Sequence, residues 1–220
     1  MKKLFALMAI SVIALVGFTS NAGAVLSFDL GLGNPAISSF PGPYATVSVN
    51  RTDATHATIT FTSQAHGGYF YLMGDGGSVA VNVNAASWTL DTITGTNSYA
   101  GFTPGPYSDG GAGNEDGFGS FNQTVNDFDG YTHSADQVVL TLTNTGGTWA
   151  SDNDVLIGNV NGYRAAVHTF VTYNPPAIGN GAITTGFATE GGGTVPEPTS
   201  MLLLGLGLAG FGAARRRKKN

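Results

Sequence analysis

The chain predicts an all-β fold, an antiparallel β-sandwich or jelly roll of about nine strands, flanked by an N-terminal signal helix and a short C-terminal transmembrane helix. Three observations carry that prediction. Short segments alternate apolar and polar residues with a period of two. Glycine punctuates them, with 27 of the 33 glycines falling in residues 25–194. The long apolar runs are confined to the two ends, and no amphipathic helical period stands between them.

Met1 to Ala24 opens on Lys2-Lys3, runs through an apolar stretch from Leu4 to Val16 and closes on Ala22-Gly23-Ala24. Small residues at Ala22 and Ala24 fit the cleavage pattern of a secretory signal peptide, so residues 1–24 are assigned to one and the mature chain starts near Val25. Residues 25–174 read as one β domain, large enough to bury its own core. Ala45, Val47 and Val49 alternate with Thr46 and Ser48; Ala57, Ile59 and Phe61 alternate with Thr58, Thr60 and Thr62. Val79, Val81 and Val83 repeat the pattern, as do Val138, Leu140 and Leu142. Leu26 to Leu30, Tyr69 to Met73, Trp88 to Thr94, Phe118 to Val125 and Tyr163 to Val171 complete the set. Periodicity leaves a barrel open beside the sandwich. Gly95 to Gly117 is expected to be a long loop, and residues 175–194 a Gly/Pro-rich linker.

Residues 195–220 form the last unit. Val195-Pro196-Glu197-Pro198-Thr199-Ser200 precedes fourteen apolar or small residues, Met201 to Ala214, and then five consecutive basic ones. As a helix the fourteen rise about 21 Å against a hydrocarbon core of about 30 Å, which suits a temporary membrane stop. Basic residues at both ends belong on the cytoplasmic side, which puts everything between them across the inner membrane.

Charge excludes several functions. Between the two basic ends only Arg51 and Arg164 are cationic, against thirteen acids in residues 25–194, for a formal charge of about −11 and no lysine. A nucleic-acid partner is excluded for want of phosphate-neutralising side chains. A phosphate-loop lysine and a Schiff-base lysine are excluded on the same ground. With no cysteine there is neither a disulfide framework nor a thiolate metal site.

The Val-Pro-Glu-Pro string, the Leu/Gly-rich segment and the terminal arginine cluster together resemble the PEP-CTERM sorting signal of Gram-negative bacteria that make exopolysaccharide. The resemblance covers about 26 residues. It implies that Pro196, Glu197 and Pro198 are recognised by an exosortase-type membrane protease while a C-terminal transmembrane sorting helix holds the substrate. It further implies delivery to the cell surface or extracellular matrix. Asn161-Gly162-Tyr163-x-Ala165-Ala166-x-His168 is similar to cargo domains that carry this tail, and no activity comes with that likeness.

Chemistry in the body has few candidates. Asn126-Asp127-Phe128-Asp129-Gly130 resembles part of a calcium loop, with Asp127, Asp129 and Asp136 at ligand spacing, although Val125 occupies the first ligand position and no helix follows. Turn formation and solubility explain the same acids. His56, His66, His133 and His168 show no metal-binding pair spacing, and there is no Gly-x-Ser-x-Gly elbow. Tyr99, Phe102 and Tyr107 lie on a Gly/Ser-rich segment where exposed rings would stack on sugar faces. Threonines at Thr58, Thr60 and Thr62, at Thr92 and Thr94, and at Thr141, Thr143 and Thr145 each fall on one face of a strand.

The expected function is that of a secreted, non-enzymatic surface or matrix protein, structural or associated with exopolysaccharide. Two other readings stand beside it: a calcium-dependent polysaccharide hydrolase or lyase, and an ice- or water-ordering surface protein.

Overall fold

The computed structural model describes residues 25–191. The signal segment with Ala22 and Ala24, the string Pro196, Glu197 and Pro198, and both expected terminal helices lie outside the described residues. Within them the chain is all-β, with thirteen strands paired antiparallel and three single-turn 3₁₀ helices. In order the strands are β1 (Leu26–Leu30), β2 (Leu32–Gly33), β3 (Ala45–Arg51), β4 (His56–Ser63) and β5 (Ala65–His66). There follow β6 (Tyr69–Met73), β7 (Asp75–Val81), β8 (Trp88–Thr96), β9 (Ser108–Glu115) and β10 (Gly119–Asp127). The last are β11 (Gln137–Asn144), β12 (Ala165–Tyr173) and β13 (Thr184–Thr189). Nine of these are the segments expected from alternation; β2, β5, β9 and β13 are additional.

The strands divide into two sheets. A five-stranded sheet runs β1-β3-β4-β11-β8, and an eight-stranded one runs β2-β13-β12-β7-β10-β9, with β6 also paired to β12 and β5 to β6. One apolar cluster joins them. The five-stranded sheet contributes Phe28, Val47, Ile59, Phe61, Leu140 and Leu142, and the eight-stranded sheet contributes Tyr71, Met73, Val79, Val125, Val167 and Val171. Alternation explains the first set directly, because every second residue of β4 is buried and Thr58, Thr60 and Thr62 face outward. Each large side chain taken fully from water, such as Ile59 or Phe61, contributes about 1.5–3 kcal/mol.

The eight-stranded sheet is different, because its central strands bury both faces. β6 is buried along all but its first residue, and β12 along most of its length. Residues that alternate inward with Tyr71 and Met73 alternate outward with Phe70 and Leu72, so this sheet has an apolar outer face as well. β6 and β7 together act as one strand against β12 with a wide bulge. Thr169 pairs with Met73 and Val167 with Val79, which leaves Gly74 to Ser78 opposite His168 alone.

Two expectations are corrected. The Gly95–Gly117 stretch is not all loop, since Ser108–Glu115 forms edge strand β9 on β10. Its glycines serve close approach: a Cβ at Gly113 would lie 2.8 Å from the Thr124 methyl. Likewise residues 175–194 are not all linker. Thr184–Thr189 pairs with β12 from Ala166↔Thr189 to Val171↔Thr184, and its far side receives β2. Just beyond it Glu190 pairs with Arg164, Oε2 accepting the guanidinium at 2.6 and 2.9 Å and Oε1 accepting the Arg164 backbone amide at 2.5 Å, and the guanidinium lies 4.0 Å over the Phe28 ring of the other sheet.

A chain ending at Asn174 should therefore melt at least 10 °C below one ending at Gly191, because β12 loses a six-residue partner and Arg164 loses its counter-ion. Thermal unfolding followed by circular dichroism measures the difference. Coincident melts would return residues 175–191 to the linker.

Candidate functional site

The three acids expected to form a calcium site stand in three different settings. Asp127 is the last residue of β10, so its side chain turns inward and is fully buried. One of its oxygens accepts the Asp129 amide at 3.4 Å; Oδ2 has no partner. Burial raises its pKa above the ordinary carboxylate range. Asp129 is exposed. The Asp136 carboxylate is held by Ser98, accepting the backbone amide at 2.8 Å and the hydroxyl as well. Among the described residues no three His or acidic side chains gather to hold a metal ion. The loop expected from the spacing is not all loop, because β10 continues through Asp127.

The ring triad is also placed differently. Phe102 is 8% exposed and packs with Phe70, Leu72 and Phe170 on the outer face of the eight-stranded sheet, with Tyr99 and Tyr131 around them. Tyr99 meets Phe70 edge-on at 5.3 Å, and Phe102 meets Tyr131 at 5.3 Å. Tyr107 packs on the inter-sheet core, and its buried hydroxyl has no partner. Burial, reinforced by the charges of Asp127 and Asp136, pushes this phenol far above its usual value. Tyr99, Phe102 and Tyr107 thus cover apolar surface and do not present a stacking platform. A second cover of the same kind, Phe118, Phe121 and Tyr163 with Phe187, lies over Ala80 and Ala166.

Titratable groups collect where the β6–β7 bulge meets β9 and β10. Gly77 sits at φ +67 with the Glu115 carboxyl occupying the place a Cβ would take, and its amide donates to Asn126 Oδ1 at 2.9 Å. Glu115 is 2% exposed, its Oε2 has no partner, and burial pushes its pKa from 4.5 up to about 8. Across the bulge His168 Nδ1 bonds the Gly76 carbonyl at 3.0 Å while the ring stacks on Phe187 at 4.2 Å; burial lowers its pKa. The neutral imidazole carries its proton on Nδ1 to make that bond.

An open cleft of about 660 Å³ lies at the end of β11, lined among others by Asn82, Asn84, Asn122, Asn144, Trp149 and Asp154. Asn122 fixes one wall, accepting the Val83 amide at 2.7 Å and donating to the Val83 carbonyl at 2.9 Å. Asn84 Nδ2 donates to the Asp154 carbonyl at 2.9 Å, and the Trp149 indole donates to the Asn84 carbonyl at 2.8 Å. Arg51 Nη1 donates to the Trp149 carbonyl at 2.8 Å and so braces that wall. Asp154 is the one acid in the lining. Such a surface offers hydrogen bonds to neutral polar groups. The sequence signal was present in the Asn-Val-Asn and Asp-Asn-Asp strings, yet nothing in their spacing shows that the chain closes them around one cleft.

These elements define an exported all-β domain followed by a C-terminal addressing segment. The family model of the PEP-CTERM protein-sorting motif matches residues 194–218, so the chain carries that motif and is an exosortase-targeted secreted protein. No curated protein and no solved structure matches the chain. Among the described residues no helix is long and apolar enough to cross a membrane.

Two measurements check this account. Phe102→Ala should cost about 3–5 kcal/mol, read as a fall in melting temperature, because it empties the middle of a ring cluster; an unchanged melt would return that ring to solvent. Glu115 binds its proton more tightly in the folded state than in the unfolded chain. Its contribution to stability is complete below about 4.5 and is lost as pH rises toward about 8. His168 works in the opposite sense, losing stability as pH falls through 6.5. Glu115→Gln should therefore melt higher than the parent at pH 8.5 and match it at pH 5, whereas equal gaps at both pH values would exclude the buried acid as the cause.

Proposed function

We propose that this chain is a non-catalytic surface or extracellular-matrix protein, a β-sandwich exported across the inner membrane, held there briefly by its tail, released by an exosortase-type protease and retained by exopolysaccharide. The observation that carries the reading is the sorting motif at residues 194–218. Its order fits the task. A Pro-Glu-Pro string offers a protease a short linear sequence to read, the following apolar run is too short for a durable anchor, and the basic cluster fixes orientation. The body supports a neutral polymer as partner: it has no lysine, and both of its arginines are engaged inside the domain. A polyanionic polymer would meet repulsion from a body of charge about −11.

Pro196, Glu197 and Pro198 replaced by alanine should leave export intact and leave the tail attached, because the signal segment and the folded body are untouched. The variant should collect in the membrane fraction at a mass that still includes the C-terminal residues. Release at the unchanged mature mass would overturn the sorting reading. The matrix role predicts co-purification of the released parent protein with the producer's extracellular polymer, without new reducing or unsaturated chain ends. New ends would transfer the assignment to the hydrolase or lyase reading.

A further inference from the structure

The two sheets differ in one respect that the sorting motif does not explain. The outer face of the eight-stranded sheet is covered by rings, whereas the outer face of the five-stranded sheet is open and hydroxylated. Register shows its order. Ser48 on β3, Thr60 on β4, Val139 on β11 and Thr94 on β8 form one cross-strand row. Asn50, Thr58, Thr141 and Thr92 form the next. Every one of these eight positions is partly or fully exposed, while Ile59, Phe61 and Leu140 between them point into the core. Neighbouring strands repeat at about 4.8 Å and same-face residues at about 6.6–6.8 Å, so the rows make a two-dimensional lattice of hydroxyls and the Asn50 amide, interrupted by the Val139 methyl groups.

We infer that this face is a docking surface for an extended neutral polysaccharide, with threonine hydroxyls bonding sugar hydroxyls and threonine methyl groups packing on the sugar C–H faces. Charge distinguishes this occupant from others. No charged residue occupies either central row, and the nearest carboxylates are already engaged: Asp29 accepts the Thr46 hydroxyl at 2.7 Å, and Asp91 accepts those of Thr89 at 2.7 Å and Thr143 at 2.6 Å. A hydroxyl both donates and accepts, so it matches a polyhydroxylated partner without desolvating an ion. Thr92 and Thr141 already bond each other at 2.6 Å across the strands, which orders their side chains before a ligand arrives. Access is also favourable. Gly191, the last described residue, lies beside Leu32 of the eight-stranded sheet, on the layer opposite these rows.

The inference rests on the matrix reading above and names its contact face. The protein collected in processed form from the producing cell should sediment with cellulose or with a cross-linked dextran, equally in 0.15 and 1 M salt, because no ion pair is involved. It should not sediment with a polyuronate gel. The triple variant Thr58→Val, Thr60→Val and Thr141→Val keeps shape and strand preference while removing hydroxyls, and should weaken that binding at least tenfold with an unchanged melt. Should the triple variant aggregate, Thr60→Asp with Thr94→Asp gives the same loss through charge. Failure of the parent protein to bind either neutral polymer overturns the inference, as does equal binding by a folded face variant or equal retention on polyuronate. Faceting of ice by a parent protein that binds neither polymer assigns the face to water ordering instead. The matrix reading fails separately, if the parent protein does not co-purify with the producer's own polymer; retention there of a folded face variant keeps that reading and removes only this face.

Discussion

The central strands of the eight-stranded sheet are apolar on both sides, and most of the architecture answers that constraint. A strand buried on one face can turn its polar residues to water. β6, Tyr-Phe-Tyr-Leu-Met, has none to turn. Its inner side meets the five-stranded sheet, and its outer side must be covered by whatever chain can reach it. The segment from Ser98 to Tyr107 and the 3₁₀ turn at Tyr131 supply that cover through rings set edge-on at 5.3 to 5.8 Å. Connections that look free in the sequence are therefore part of the packing.

Polar groups caught beneath the cover explain the perturbed acids. The β6–β7 bulge inserts five residues where β12 has one, and the space it opens is filled by Glu115 from β9 and the His168 ring from β12. Burial acts on both in the same direction, toward the neutral form: the acid holds its proton and the imidazole gives one up. A body with a formal charge of about −11 thus keeps Glu115 off its surface without a compensating cation. The two cations it has are used mechanically. Arg51 braces Trp149, and Arg164 ties the end of β13 to β12 while covering Phe28 of the opposite sheet.

Legibility in the sequence follows the same division. Strands with one wet face, β1, β3, β4 and β11, are visible because burial alternates, and β1 is read at its observed limits. β9, Ser-Asp-Gly-Gly-Ala-Gly-Asn-Glu, offers no alternation because Gly110 and Gly113 answer to the closeness of Thr124 and Gly111 to a positive φ, and its pairing includes two register shifts. β13 is hidden for another reason. Thr-Thr-Gly-Phe-Ala-Thr lies between glycine-rich neighbours that read as linker, and only its contact with β12 makes it a strand. At the site level, Asp127 and Phe102 have the right chemistry in the sequence and the wrong direction in space. Direction depends on the register in which β10 ends and on which sheet face needs cover, and neither is a local property.

The address and the cargo are encoded in different ways, which is why one was readable and the other needed a structure. A sorting segment is recognised as a linear object, so a Pro-Glu-Pro string, an apolar length and a charge cluster suffice to specify it. A contact surface exists only after strands from distant parts of the chain are brought into register: Ser48, Thr60, Val139 and Thr94 share a row although they span nearly half the sequence. The five-stranded sheet keeps such a row exposed because its large apolar residues, Val139 apart, fit on the inner side. No ring cluster covers its outer face among the described residues, and that face is a broad sheet surface left for contact once the eight-stranded layer has been covered.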